Sequence, residues 1–362
     1  MKKVVAILAS LNHPRFIKRI NVFKELGMNL DIYGFERDYK SPNEFPQEFA
    51  VYKIGYIRNG TNYLKRLFLL FTSLNKVFRK YSSDTIFYVT TFDIAIICFI
   101  FRRKFIYEVS DMVYVNFPKC LREICRFCDQ LLVRRSLLTL MTSEGFNKYL
   151  FGNRCFENVV FIHNKMSLFF KDRERPLHDF DNRLKFSFIG LIRYPNTIFR
   201  FARIIGSKFP HYEFHFYGFV ETSLVDEFEC IINNYSNVFF HGAFKNPDDL
   251  EHIYSDTDIV VCCYDTTTIN ERIAEPNKLY ESIYFGCPII VSENTFLAEK
   301  VKCFNCGYVI NPFGDESIIN FVDSIKLEDL KTRSNLMNNI SKETLLDETF
   351  DVLKEKLLKV LD

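Results

Sequence analysis

The sequence predicts an α/β protein of two domains in tandem, each a parallel sheet covered by helices on both faces. Three observations predict it. A length of 362 residues exceeds what one ordinary core needs and suits two. Short apolar runs alternate with helix-like segments in both halves, the pattern of strands buried on both faces. The alternation stops once, in the charged, proline-containing stretch 171–182, and then restarts. The expected division is a first domain over 1–170, a linker over 171–182, a second domain over 183–340 and a helical tail over 341–362.

Val4-Val5-Ala6-Ile7-Leu8-Ala9 reads as a buried first strand. Lys2 and Lys3 give it a superficial likeness to an export signal, but the run is short and Asn12, His13 and Arg15 follow at once. Residues 15–26 then read as a helix ended by Gly27, and 30–35 as a second strand. Further strands are expected at 85–89, 105–109 and 138–142, each with helical sequence after it. The second half repeats the alternation: strand 186–189, helix 197–207, strands 213–217 and 238–241, helix 248–254, strand 259–263. A helix over 277–285 and strands at 288–292 and 308–310 complete it. The tail over 343–360 has helical apolar spacing and is expected to pack across the domain junction. Ligands bind beyond the carboxyl ends of strands in such sheets, so the cleft between two facing domains is the expected site.

Lys and Arg total 47 against 45 Asp and Glu, so no global field points to nucleic acid and no such partner is expected. The longest other apolar stretch, 94–101, is closed by Asp93 and by Arg102-Arg103-Lys104. It falls short of the ~20 residues that cross a bilayer as a helix. The chain is expected to work in the cytosol, or at the inner face of the cell membrane. Eleven cysteines in such a chain are expected to be reduced thiols. Cys125/Cys128 and Cys303/Cys306 have metal-like spacing. However, Leu121, Ile124, Cys125, Cys128 and Leu132 share one helical face, and core packing is the expectation there. Asp256-Thr257-Asp258 has the form of a metal-binding pair, yet Asp before a strand more often marks a turn. No metal and no cofactor are expected.

The most informative stretch runs from Glu271 to Val291. Pro276 can open a helix whose first amides, around Asn277, Lys278 and Leu279, are available to an anion. Lys278 adds positive charge there. Glu281 follows about one turn on, where a carboxylate can accept from sugar hydroxyls. Gly286 ends the helix and Pro288 enters the next strand. An ordinary capped helix with a solvated Lys and Glu would carry the same local pattern.

The segment resembles the donor-site motif of GT-B glycosyltransferases, especially the retaining family 4 and its relatives. There a Glu is followed five residues later by Gly and seven later by Pro, as Glu281, Gly286 and Pro288 are here. Many members carry Pro-x-Lys-x-x-Glu, matched by Pro276, Lys278 and Glu281. The resemblance implies two Rossmann-like domains facing a cleft, with Glu281 on the ribose of a nucleotide. The family's paired Glu stands eight residues earlier, where this chain has Ile273. Glu271 or Glu275 is the expected substitute, with Glu275 preferred because it is nearer the helix mouth.

Other segments extend the resemblance. Phe186-Ser187-Phe188-Ile189-Gly190-Leu191-Ile192-Arg193 is similar to the family's first strand of the second domain. Gly190 would let backbone approach a pyrophosphate and Arg193 would clamp it; a surface arginine is the plainer reading. Segments ending at Gly218 and Gly242 resemble the next two strand ends, whose loops would flank the base, with Phe219 or Phe244 stacking. In the first domain, His13 directly precedes and Arg15 lies in a Pro-Arg-x-x-Lys-Arg run that could meet phosphate or acceptor, while Lys18 and Arg19 could simply coat a helix. Asp111, after the strand 105–109, is a candidate for acceptor activation or for a helix cap. Ser143 or Glu144 is expected to cap the helix after the strand 138–142.

The implied activity is transfer of a sugar from a nucleoside-diphosphate sugar to a hydroxyl of a glycan or lipid-linked glycan, with retention and without a metal. A sugar-nucleotide 2-epimerase and a catalytically silent sugar-nucleotide-binding subunit remain as alternatives. The segment 63–80 mixes basic and apolar residues at helical spacing. It would lie on an anionic membrane or bury the same face in the first domain.

Overall fold

A computed structural model describes residues 3–361 except 12–13, 29, 38–44, 46–48, 59–60 and 194, with backbone alone at 14, 15, 17, 18 and 349. The chain forms two compact units, Met1–Ile162 with Glu348–Asp362, and His163–Asp347.

The first unit is built on seven parallel strands: β1 (Val4–Leu8), β2 (Asp31–Glu36), β3 (Ala50–Tyr56), β4 (Ile86–Val89), β5 (Lys104–Val109), β6 (Leu138–Met141) and β7 (Val159–Phe161). Their order is β3-β2-β1-β4-β5-β6-β7, so the order in which strands are added across the sheet reverses between β1 and β4. The central pair β1 and β4 is apolar at every position and buried throughout, as in sheets covered by helices on both faces. Two strands have no counterpart in the sequence expectation. β3 is an edge strand whose side chains are largely exposed, so it carries no apolar run. β7 spans only three residues.

The second unit has six parallel strands: β8 (Lys185–Ile189), β9 (Glu213–Tyr217), β10 (Val238–Phe240), β11 (Ile259–Cys262), β12 (Ile289–Ser292) and β13 (Gly307–Ile310). The order is β10-β9-β8-β11-β12-β13, which puts the switch point between β8 and β11. The helix Lys278–Phe285 follows β11, and all its residues except Lys278 are buried.

The stretch 171–182, expected as a linker, lies inside the second unit. Its charge is structural. Arg175 donates from Nε to Tyr284 O (3.1 Å), from Nη1 to Asn338 O (3.2 Å) and Ile340 O (2.7 Å), and from Nη2 to Ile283 O (2.5 Å) and Met337 O (2.8 Å). These carbonyls lie at the closing turns of the helices Lys278–Phe285 and Leu327–Asn338, where local amides such as Gly286 N and Ile340 N satisfy only some of them. A forked cation satisfies both ends and opposes both dipoles. His178 Nε2 stands 2.9 Å from Asp258 Oδ1, and Phe180 is buried in the core of this unit.

The tail also divides differently from the expectation. Leu345 and Leu346 belong to the second unit, where Met166 N donates to Leu345 O (3.0 Å). The final helix, Thr349–Leu361, belongs to the first unit. There Leu353, Leu357 and Leu361 join a core with Val4, Ile106, Leu138 and Leu140. Replacing Arg175 by Ala is expected to cost about 2–4 kcal/mol in urea unfolding, because several buried carbonyls lose a charged donor. Arg175→Lys should recover only part, since an ammonium cannot reach both helix ends.

Candidate functional site

Three glycines end adjacent strands in the second unit. Gly190 follows β8, Gly218 follows β9, and Gly242 lies just beyond β10. Gly190 N donates to Tyr217 O (2.7 Å) and Gly218 N to Gly242 O (2.7 Å), so the three form one backbone row. Gly190 and Gly218 have φ of +139° and +136°. A Cβ on Gly218 would stand 1.9 Å from Gly190 O, which no side chain can satisfy. A Cβ on Gly190 would stand 3.3 Å from both Cε and Nζ of Lys278. The bare strand end thus lets the Lys278 ammonium lie over backbone. Ile192 N donates to Phe219 O (2.8 Å) and accepts at its carbonyl from Glu221 N (3.0 Å), which fixes the loop before Arg193.

The helix Lys278–Phe285 begins beside this row. Asn277 occupies its N-cap, but its side chain does not cap. Its amide instead donates to Glu281 Oε1, and Asn246 Nδ2 donates to the same oxygen (3.2 Å). Glu281 Oε2 accepts from Tyr254 OH (2.9 Å) and lies 4.0 Å from Lys278 Nζ. Burial, and then the Glu281 charge, push the Tyr254 phenol well above its ordinary pKa, so it remains a donor. Glu281 is only 2% exposed, and this polar cage supplies its carboxylate oxygens with hydrogen-bond donors inside an apolar helix face. Leu279 is buried, and its amide donates to Pro276 O (3.2 Å), forming part of the opening turn.

Glu275 is equally buried. His163 Nδ1 approaches its Oε1 at 2.7 Å and Tyr280 OH donates to the same atom. Its Oε2 makes no hydrogen bond among the described residues, and Lys300 Nζ is 3.9 Å away. Asn164 Nδ2 donates to its backbone carbonyl (2.9 Å). Glu271 serves differently: with Thr268 it forms the capping box of the helix Ile269–Ile273. Burial raises its carboxyl pKa, an effect opposed by hydrogen bonds from Thr268 and by the charge of Arg193. Arg193 itself is exposed.

Sequence reasoning missed several of these partners. Asn246 and Tyr254 lie 35 and 27 positions before Glu281, and nothing local links them. Asp265, just past β11, accepts from Thr197 N (3.1 Å) and Thr197 Oγ1, tying that strand end to the helix Pro195–Lys208. A polar residue directly after a buried strand was the available signal. Of the two proposed stacking groups, Phe219 is exposed beside Gly218 and lines a cleft of about 550 Å³ with Val220, Phe228, Ile232 and Phe240. Phe244 packs against the core.

Asp256 and Asp258 have separate structural partners. Asp256 pairs with Lys185 and accepts from Tyr217 OH (3.2 Å), while Asp258 holds His178 and accepts from Lys185 N (2.7 Å). Among the described residues no group of three His, Cys, Asp or Glu is placed to hold a metal ion.

In the first unit, His13 and the Arg15 side chain lie outside the described residues. Asp111 is exposed beyond β5, and Met112 rather than Asp111 is the N-cap of the short turn Val113–Asn116. Ser143 caps the helix Glu144–Phe151 by accepting from Gly145 N (3.0 Å). Arg19 does not coat its helix. It is buried, 3.4 Å from Glu108 Oε2, which also accepts from Tyr88 OH (2.5 Å). The outward spacing of Arg19 in sequence gave no sign of a buried carboxylate on β5.

The glycine row yields a contrast that unfolding curves can check. Gly242→Ala, with φ of +77° but open space around its Cβ, should cost about 1–2 kcal/mol. Gly218→Ala adds a backbone clash to the same strain and should cost at least about 3 kcal/mol.

Residues 179–343 match the family described as glycosyl transferases group 1. The fold resembles sucrose-phosphate synthase from Thermosynechococcus elongatus, with a TM-score of 0.73, 12% identity, and coverage of 99% of this chain and 98% of that one. It also resembles HepE from Anabaena, solved in complex with UDP and glucose, at TM-score 0.69 and 13% identity over 99% of this chain and 100% of that one. A glycosyltransferase from Rickettsia africae aligns at TM-score 0.63 and 11% identity, covering 99% and 98%. No curated protein matches the sequence. Residues 179–343 are thus similar to a group 1 glycosyltransferase domain, in a chain that shares the two-domain fold of these structures.

Proposed function

We propose that this chain transfers a sugar from a nucleoside-diphosphate sugar to a hydroxyl of a glycan or lipid-linked glycan, with retention at the anomeric carbon. The observation that carries the reading is Lys278 Nζ lying over the bare backbone of Gly190, with buried Glu281 one turn along the same helix. A diphosphate laid over the glycine row would meet that ammonium, the helix mouth at Asn277 and the Arg193 guanidinium. Ribose hydroxyls would take the places on Glu281 Oε1 that Asn277 and Asn246 occupy. The base would lie toward the loops after Gly218 and Gly242. The complex of HepE with UDP and glucose makes uridine-based donors the first to try.

As the anomeric C–O bond breaks, negative charge builds on the leaving diphosphate, and cations already in place lower that barrier. In this reading Lys278 and Arg193 supply the countercharge without a metal. Asp111, on the carboxyl end of β5, is assigned to the acceptor side. Glu275 contributes to the sugar side, held by His163 and Tyr280.

A second reading, a donor-binding subunit without turnover, draws on one observation. Ile273 stands where the paired Glu would be, and the carboxylate of the nearest substitute is already bonded to His163 and Tyr280. One set of assays separates the readings. Glu281→Ala is expected to weaken donor binding about tenfold or more in calorimetry, through loss of charge-assisted hydrogen bonds. Lys278→Ala should lower kcat more than it raises KM, because its charge matters most as the diphosphate departs. Donor binding without turnover across acceptors would favour the silent subunit. Unchanged donor affinity and turnover in Glu281→Ala would remove the assignment.

A further inference from the structure

We propose that the first unit docks on an anionic bilayer through the opening turns of two helices, Tyr63–Phe78 and Lys119–Arg135. The first buries Leu70, Leu74, Val77 and Phe78, all from its eighth residue onward. Its first half leaves Leu64 74% and Phe68 72% exposed, and these share one stripe at i, i+4 spacing. The second helix was expected to bury the face carrying Leu121 and Ile124. Its buried residues are instead Asp129, Leu132 and Val133, and Ile124 and Phe127 are 57% and 67% exposed. Large apolar side chains gathered on neighbouring surfaces mark an interaction site rather than ordinary scatter.

The two helices begin close together. Tyr63 packs edge-on against Phe117, with ring centroids 4.8 Å apart, just before the second helix begins. Tyr63 OH and Arg66 both bind Asp93, which opens the helix Phe92–Ile100 between them (2.6 and 2.7 Å). All three helices begin after the carboxyl ends of their strands, β3, β4 and β5. The patch therefore lies along the edge of the first sheet where ligands of such folds bind.

Charge selects the occupant. Arg58 and Lys65 are exposed beside the first stripe, Arg66 is held by Asp93, and Lys76, Arg79 and Lys80 stand at the far end of the helix; from Ile54 to Ser83 there is no Asp or Glu. Around the second stripe stand Lys119, Arg122 and Arg126, opposed by Glu123, which lies 3.7 and 3.3 Å from the two arginines. Exposed apolar side chains with Lys65 and Lys119 on the same helices fit the headgroup boundary of an anionic leaflet, with long basic side chains reaching phosphates. No described helix is long and apolar enough to cross a membrane, so the contact is peripheral. The proposal does not use the donor site and can fail without it.

Co-sedimentation of the full chain with phosphatidylcholine vesicles, with and without phosphatidylglycerol, tests this. Binding is expected only with the anionic lipid. It should fall about tenfold or more in Phe68→Ser/Phe127→Ser and in Lys65→Glu/Lys119→Glu, as basic amphipathic contacts require both terms. Phe313→Ser, a ring 51% exposed in the second unit, should bind as the parent does. Retained unfolding midpoints show that the variants fold. No binding, binding untouched by both double variants, or equal loss with Phe313→Ser would overturn the proposal. So would concentration-dependent self-association that Phe68→Ser/Phe127→Ser abolishes, since a second copy would then be the occupant.

Discussion

The candidate site depends on the absence of side chains at two strand ends. Gly218 packs its α-carbon directly against the carbonyl of Gly190, and this contact keeps β8 and β9 in register where they stop. With that end bare, the Lys278 side chain can fold back over Gly190 rather than extend into solvent. An ammonium placed over backbone, next to a helix N-terminus, makes a concentrated positive field with little reorganisation left for binding. The remaining polar structure of the second unit can be understood as holding this helix in place.

That support comes from both ends of the helix Lys278–Phe285. At its start, Glu281 is buried but fully engaged, with two amide donors on one oxygen and a phenol on the other. A buried carboxylate with fewer partners would be a liability, and its cage ties the helix to the loop at Asn246 and to the helix carrying Tyr254. At its end, Arg175 crosses to carbonyls of two helices at once. Glu275 fastens the loop just before Pro276 to His163 and Asn164. The helix is therefore fixed in rotation by one network and along its axis by the other.

Much of the fold was legible because it rests on local pattern. Buried parallel strands such as β1, β4 and β11 are apolar at every position, and glycines mark where β8, β9 and β10 stop. Elements whose environment is set from afar were not legible. β3 is an exposed edge, and 171–182 looks like a linker because its charges are polar, although Arg175 is spent on helix carbonyls. The site divides in the same way. Lys278 and Glu281 stand out from their spacing around Pro276, whereas Asn246, Tyr254 and Asp265 reach the site only through the fold. The first unit shows the converse: the apolar face at Leu121 and Ile124 was expected in the core, and the structure leaves it exposed.

The central claim is that the glycine row, Lys278 and Glu281 form one nucleotide-diphosphate site. A crystal structure of the chain with UDP tests it most directly. The account predicts phosphate oxygens within hydrogen-bond reach of Lys278 Nζ above Gly190. It also predicts ribose hydroxyls on Glu281 Oε1, with Asn277 and Asn246 displaced from it. A nucleotide bound elsewhere, with Glu281 still held by Asn246, Asn277 and Tyr254, would contradict it.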